Sequence, residues 1–112
     1  MKQVVLSAAA AVLWMGVAGA SFAADSDSQL EKGKALFVSG ASPACAVCHT
    51  LKDSGSAGTI GPDLDELKPD AVRVKTVLQE GIGVMPSFAD SLDDESIDAI
   101  AAYVVHATGA GK

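Results

Sequence analysis

The chain has 112 residues, and its 14 acidic side chains against 8 basic ones give a formal net charge of −6 at pH 7. This balance argues against nucleic acid as a partner, because binding to phosphates depends on lysine and arginine. The length suits a single domain, at a size where a hydrophobic core alone gives marginal stability.

Residues 1–23 have the pattern of a secretory signal peptide. A positively charged start at Lys2 leads into about 17 apolar residues, followed by small residues at Ser21 and Ala23. Cleavage after Ala23 predicts a mature periplasmic domain over residues 24–112 with no stable membrane insertion. The competing interpretation is an uncleaved anchor, since the apolar stretch reaches the lower limit for crossing a bilayer.

The predicted mature chain keeps few aromatic side chains for its core, namely Phe37, Phe88 and Tyr103. A large, flat and apolar cofactor would complete such a core. Acidic residues are spread over all segments, which indicates either a well-solvated surface or electrostatic steering of a basic partner.

A first helix is predicted from Ser28, because Ser28 and Glu31 have the spacing of a capping box. Three residues then share one face of this helix: Leu30, Gly33 and Phe37. Gly40 and Pro43 are stop signals for the helix. The following residues 50–68 are rich in glycine, serine and aspartate, so we expect an extended loop there.

Two more helices are predicted in the second half of the chain. One opens at Pro69 and ends at Gly81, with an apolar stripe made by Ala71, Val74, Val77 and Leu78. A loop over residues 81–88 follows. The last helix is capped by Asp93 or Ser91, with an apolar face made by Ile97, Ile100, Ala101 and Val104. No segment alternates with period two, so we expect an all-α domain without a sheet.

The stretch Cys45-Ala46-Val47-Cys48-His49 has the C-x-x-C-H pattern of covalent haem attachment. Two thiols one helical turn apart can each form a thioether with one vinyl group of haem. The histidine that follows directly can bind the iron through a ring nitrogen. The motif therefore predicts one haem c attached to Cys45 and Cys48, with His49 as an axial ligand.

Three other interpretations compete for the two cysteines. A disulfide between them would close a very small loop and add little stability. A thioredoxin-like redox centre requires a strand before the motif, and none is predicted there. A zinc site would need further ligands, and His106 is the other histidine of the chain.

Met85 is the candidate for the second axial ligand, since it is the one methionine of the predicted mature chain and lies between Gly83 and Pro86. A methionine and histidine pair raises the reduction potential relative to two histidines. Met85 as a filler of the core is the alternative role.

His106 is the rival ligand, but a histidine near the end of a helix more often interacts with the negative end of the helix dipole. An open sixth position would instead indicate a haem enzyme or a gas sensor.

Taken in order, these features resemble the class I c-type cytochromes over residues 28–107. The resemblance implies the class I cytochrome c fold, with three main helices around one covalently bound haem and long connecting loops. It also implies that the first and last helices cross closely, with Gly33 opposite residues 100–104. The alternative is that Gly33 is merely a tolerated surface glycine.

The pair Gly61-Pro62, with Leu64 after it, is similar to a Gly-Pro pair of the same family. The resemblance implies that Pro62 and Leu64 belong to the cofactor site. It also implies that the Pro62 carbonyl accepts a hydrogen bond from the second ring nitrogen of His49, which would fix the ring orientation. The alternative role for Pro62 is that of an ordinary turn proline.

Residues 43–52, 61–67 and 81–86 are similar to the small cytochrome subunit of bacterial sulfite dehydrogenases. This narrower resemblance implies a one-electron carrier, not an enzyme, that accepts electrons from a molybdenum sulfite dehydrogenase subunit. A downstream cytochrome or oxidase would then take the electrons. Carriers that serve other dehydrogenases or terminal oxidases are also similar, so a general soluble shuttle remains the alternative.

Overall fold

The computed structural model describes residues 11, 12, 15, 16 and 21–111, with the backbone alone for residues 21–25. Most of the predicted signal peptide, residues 1–23, lies outside the described residues, and its cleavage stays a prediction. In the part of the chain that is described, no helix has both the length and the apolar character needed to span a bilayer.

Helices make up most of the described fold. The α-helices are α1 at Ser21–Ala35, α2 at Cys45–Cys48, α3 at Leu64–Leu67, α4 at Ala71–Glu80 and α5 at Asp94–Thr108. A π-helical turn at Leu36–Gly40 continues α1. The three longest helices, α1, α4 and α5, are the three main helices that the sequence predicts.

A small sheet follows α2, so the expectation of no sheet was wrong. Strand β1 at Thr50–Leu51 pairs antiparallel with β2 at Ser56–Ala57, with Thr50 opposite Ala57. A 3-10 turn at Lys52–Ser54 joins the two strands. Strands of two residues are too short to show a period-two pattern, which is why the sequence does not reveal them.

Helices α1 and α5 cross at very short distance at Gly33, which is buried. A Cβ atom on Gly33 would lie 2.6 Å from the Cβ of Tyr103 and would also collide with the backbone of Ala99. Beside this contact, the ring of Phe37 packs edge-on against Tyr103 with centroids 5.9 Å apart. The predicted close crossing is therefore confirmed, and Gly33 is not a surface glycine.

Helix α1 begins at Ser21, seven residues before the predicted start, so the capping box at Ser28 and Glu31 is not its N-terminus. Ser28 is an exposed residue in the interior of the helix. No glycine or proline stands between Ser21 and Ser28, and nothing in this stretch therefore stops a helix from extending. The helical segment ends at Gly40, as the sequence predicts.

Aspartates cap the other two long helices. The Asp70 carboxylate accepts a hydrogen bond of 2.8 Å from the Arg73 backbone N–H, so α4 begins after Asp70 and not at Pro69. The Asp93 carboxylate accepts a similar bond from the Ser96 backbone N–H, which makes Asp93 the cap of α5. Each cap stabilises its helix by about 1 kcal/mol.

The buried core joins all three long helices to the segments between them. Its members include Phe37 from the end of the first helix, Leu51 from β1, Leu78 from α4 and Ile100 from α5. Phe88, in the loop after α4, completes the same cluster. Through this core, the loops that carry the motif residues pack against the three long helices.

Candidate functional site

An apolar cavity of about 340 Å³ lies between the C-x-x-C-H segment, α4, α5 and the loop before α5. Its volume falls in the usual range for small-molecule and cofactor sites. All six residues that the sequence assigns to the site line this cavity: Cys45, Cys48, His49, Pro62, Leu64 and Met85. The fold therefore brings together side chains that are up to 40 positions apart in the sequence.

The two cysteines occupy the first and last positions of the one-turn helix α2. Cys45 is buried, Cys48 is half-buried, and the two thiols are not bonded to each other. Burial raises the pKa of the Cys45 thiol to about 11. Thiol redox centres depend on a lowered thiol pKa and follow a strand, whereas β1 comes after this motif. These observations argue against the thioredoxin-like interpretation.

The zinc interpretation also lacks support in the structure. Among the side chains that the structure describes from residue 26 to residue 111, no three histidine, cysteine or acidic groups come together in a way that could hold a metal ion. His106, the histidine that a zinc site would have to recruit, is exposed on α5 and is not among the residues that line the cavity.

The His49 ring is held in one orientation by two contacts. Its Nδ1 donates a hydrogen bond of 2.7 Å to the Pro62 carbonyl, so Nε2 is the ring nitrogen available to a metal. Gly61 lies flat against the ring, because a Cβ atom there would lie 2.5 Å from the His49 Cε1. The Gly61 backbone N–H also donates a 2.7 Å bond to the Cys48 carbonyl. The loop is therefore attached to both the motif and its histidine.

Gly58 makes a close contact with the attachment segment that no sequence pattern had indicated. A Cβ atom at Gly58 would lie 2.6 Å from the carbonyl carbon of Cys48, so this loop touches the backbone of the attachment segment. The signal in the sequence was the high glycine content of residues 50–68, which does not identify the glycine that makes the contact.

Met85 is positioned by a tight turn. Ile82 and Met85 exchange two backbone hydrogen bonds of 3.1 Å and 3.0 Å, and Gly83 between them has a φ of +55°. The Phe88 backbone N–H donates a 2.7 Å bond to the Leu78 carbonyl, which fixes the end of this loop to α4. The Met85 side chain is half-buried and packs against the core. Met85 is thereby held as one of the residues that line the cavity.

The residues of the cavity fit a covalently attached haem. The walls are apolar, two thiols stand one helical turn apart, and the cavity also receives an oriented imidazole and a thioether. Imidazole nitrogen and thioether sulfur are both established axial ligands of haem iron.

Comparison with known proteins identifies the family. The family model described as "Cytochrome C oxidase, cbb3-type, subunit III" matches residues 28–104. The chain belongs to this cytochrome c family. The cytochrome accordingly carries covalently bound haem c and is an electron-transfer protein.

The cytochrome is similar to proteins of different sizes. It is 33% identical over 86 residues to the cbb3-type cytochrome c oxidase subunit FixP of Bradyrhizobium diazoefficiens, a match that covers 72% of this chain and 28% of FixP. The cytochrome thus spans less than a third of that relative. It is 33% identical over 70 residues to cytochrome c6 of Bryopsis maxima, which covers 54% of this chain and 75% of cytochrome c6.

A solved structure is similar over almost its whole length. It is the c-type cytochrome SorU from Sinorhizobium meliloti, with 47% identity and a TM-score of 0.71. The match covers 74% of this cytochrome and 94% of SorU. The predicted class I cytochrome c fold is therefore confirmed.

Proposed function

We propose that this cytochrome is an exported one-electron carrier that holds one haem c through Cys45 and Cys48, with His49 and Met85 as the axial ligands of the iron. The observation that carries the proposal is that all four side chains line the same apolar cavity. When bound, haem c supplies an iron centre that accepts and releases one electron.

The protein residues control the surroundings of that centre. Pro62 accepts the Nδ1–H of His49, which leaves Nε2 as the nitrogen that would bind the metal, since outer hydrogen bonds of this kind fix the ring and its basicity. Met85 would supply the second protein ligand of the iron and so would keep small ligands such as dioxygen away. A methionine there also raises the reduction potential relative to a second histidine.

Exposed apolar side chains at the cavity support contact with a redox partner. Ile60, Ile82 and Val84 line the cavity, yet 66%, 66% and 87% of their respective surfaces are exposed. A partner that docks over them would approach the cofactor edge and exclude water from the contact. The net charge of −6 favours a partner with a basic docking surface, with more effect on the association rate than on affinity.

We further propose that the electron donor is a molybdenum sulfite dehydrogenase subunit and the acceptor is a downstream cytochrome or oxidase in the periplasm. The support is the resemblance of residues 43–52, 61–67 and 81–86 to the small cytochrome subunit of sulfite dehydrogenases. A general soluble shuttle for other dehydrogenases or terminal oxidases is the second candidate, and the matches to cbb3-type oxidase subunits support a link to a terminal oxidase.

Haem attachment is tested with the Cys45→Ala, Cys48→Ala double variant. The variant and the unaltered protein are both expressed with export to the periplasm. We expect covalent haem, detected on denaturing gels by its peroxidase activity, in the unaltered protein and none in the variant. A Cys48→Ala single variant should keep one thioether and a shifted visible spectrum. A double variant that retains haem after denaturation would rule the proposed attachment out.

The donor is tested by mixing the oxidised cytochrome with a molybdenum sulfite dehydrogenase subunit and sulfite. Haem reduction should be fast, and Ile60→Asp should slow it by introducing a charge where the partner docks. Val72→Asp is the matched control, because Val72 is 73% exposed on α4 but does not line the cavity. Reduction no faster than by an unrelated dehydrogenase would favour the general shuttle instead.

A further inference from the structure

The last turn of α4 is capped by the loop that follows it, residues 81–88, here called the methionine loop. An α-helix leaves its final four carbonyls without partners from its own backbone. In α4, the Leu78 carbonyl accepts a 2.7 Å hydrogen bond from the Phe88 backbone N–H. The Gln79 carbonyl accepts a 2.6 Å bond from the Ser87 hydroxyl. The methionine loop thus supplies partners for the end of the helix from which it departs.

The Ser87 hydroxyl uses both of its hydrogen-bonding roles in this contact. It donates to the Gln79 carbonyl and accepts a 3.2 Å hydrogen bond from the Ala89 backbone N–H. A serine hydroxyl has one proton to donate and lone pairs to accept, so the two bonds are compatible. Ser87 is exposed, so the bond does not serve to satisfy a buried polar group. Its effect is to join the return end of the methionine loop to α4.

Met85 lies between this joint and a second fixed point at Gly81. Gly81 ends α4 with a φ of +73°, and its N–H donates a 2.8 Å bond to the Val77 carbonyl. A Cβ atom on Gly81 would lie 2.9 Å from both the Met85 carbonyl oxygen and the Ser87 nitrogen, so the two ends of the loop touch. The methionine is therefore carried on a closed loop, and the Ser87 side chain fastens one end of that loop to the helix.

We propose that Ser87 is a positioning residue for Met85, because its hydroxyl holds the methionine loop closed and so slows departure of the thioether from the iron. This inference rests on the proposed ligation of the iron by Met85. A loop can open locally without global unfolding, and the open fraction depends on the contacts that close the loop. One net hydrogen bond changes such an equilibrium by about two- to tenfold. Ser87 thereby limits the access of small ligands to the sixth position.

The first test measures carbon monoxide binding to reduced holoprotein variants. Carbon monoxide can bind only after Met85 has left the iron, so the binding rate reports opening of the loop. We expect Ser87→Ala to raise this rate by about two- to tenfold, and Ser87→Thr, which keeps a hydroxyl, to raise it less. Thr76→Val is the matched control, since it removes a hydroxyl that donates 2.8 Å to the Val72 carbonyl within the same helix. An unchanged rate in Ser87→Ala, or an equal increase in Thr76→Val, would overturn the inference.

The second test follows the methionine loop by amide hydrogen exchange in the holoprotein, a readout that needs no added ligand. The Phe88 N–H can exchange when its bond to the Leu78 carbonyl opens. Ser87→Ala should speed this exchange by a factor similar to that for carbon monoxide binding. The Gly61 N–H, which bonds the Cys48 carbonyl in a different loop, should exchange at an unchanged rate. No change at Phe88, or an equal increase at both amides, would overturn the inference.

The proposed ligation and the role of Ser87 can fail separately. Fast carbon monoxide binding by the unaltered protein would contradict ligation by Met85 itself. Resistance to carbon monoxide in the unaltered protein, together with unchanged Phe88 exchange in Ser87→Ala, would overturn the role of Ser87 and leave the ligation supported.

Discussion

The phenol of Tyr103 on α5 donates a hydrogen bond of 2.6 Å to the Asp53 carboxylate in the turn between β1 and β2. Lys34 of α1 lies 3.4 Å from the same carboxylate oxygen. The hydrogen bond from Tyr103 is the main reason that the pKa of Asp53 lies below its usual value. Three separated segments thus meet at Asp53, and the turn that follows the attachment motif is fixed to the crossing of α1 and α5.

Tyr103→Phe should destabilise the holoprotein by about 1 kcal/mol, since it removes one hydrogen bond and keeps the buried ring. The measurement is urea unfolding followed by circular dichroism. Val105→Ala, which trims a half-buried residue of the same helix, controls for the general sensitivity of α5. If the Tyr103→Phe protein were as stable as the unaltered one, the hydrogen bond to Asp53 would make no net contribution to the free energy of unfolding.

The contribution of Asp53 should depend on pH in the acidic range. A carboxyl with a lower pKa in the folded state adds stability above its unfolded value of about 3.9 and loses it as the pH falls through the folded value. The stability difference between the unaltered protein and Asp53→Asn should therefore be full at pH 7 and shrink below pH of about 4. Measurements of the free energy of unfolding between acidic and neutral pH check the direction of this change. A difference that grew on acidification would contradict the assigned cause.

Gly33→Ala should destabilise the fold although alanine favours helices by about 1 kcal/mol over glycine. The added Cβ would meet the backbone of Ala99 and the Cβ of Tyr103, and neither can move without separating α1 from α5. Forcing atoms into a packed contact costs about 1–3 kcal/mol. Thermal unfolding measures the loss. Ser28→Ala at an exposed position of α1 should instead be neutral or slightly stabilising.

Gly61→Ala should disturb the axial histidine. The new methyl group would occupy space 2.5 Å from the His49 Cε1, so the ring must turn and its hydrogen bond to Pro62 must lengthen. We expect an altered visible spectrum and a changed reduction potential with haem still covalently attached. Thr59→Ala, at an exposed position of the same loop, is the control and should leave both unchanged. An unaltered spectrum in Gly61→Ala would mean that the contact does not hold the ring.

Met85→Ala should open the sixth position. The reduced variant should bind carbon monoxide readily and have a lower reduction potential, whereas the unaltered protein should resist carbon monoxide. Val72→Ala, at a position of α4 that is 73% exposed and does not line the cavity, should behave like the unaltered protein. Rapid carbon monoxide binding by the unaltered protein would mean that Met85 is not a ligand, and an enzyme or gas sensor would become the better interpretation.

Most of the residues of the site were predictable because they belong to short, recognisable sequence motifs. The attachment motif is contiguous, and Met85 has few competitors once residues 1–23 are set aside. The Gly61 and Pro62 pair came from the family resemblance, and the bond from His49 to Pro62 is present in the structure. The roles of these residues toward the haem remain predictions.

Other features depend on contacts that no local pattern reveals. The bond between Tyr103 and Asp53 joins residues 50 positions apart, and neither residue type indicates the other. In the sequence, nothing distinguishes Arg73 from other basic residues, and only the fold shows that it lines the cavity. The start of α1 was also predicted wrongly. Ser28 and Glu31 have the spacing of a capping box, but the helix begins earlier, at Ser21.

The crossing of α1 and α5 joins residues near opposite ends of the described chain, Gly33 with Ala99 and Tyr103. Between them lie every cysteine, ligand and loop of the site, so the crossing encloses the whole site in one loop of the backbone. Closing such a loop costs entropy, which the packing of α1 against α5 has to offset. Ile100 and Val104 of α5 line the cavity, so the pocket around the thiols is complete only when α5 has docked on α1.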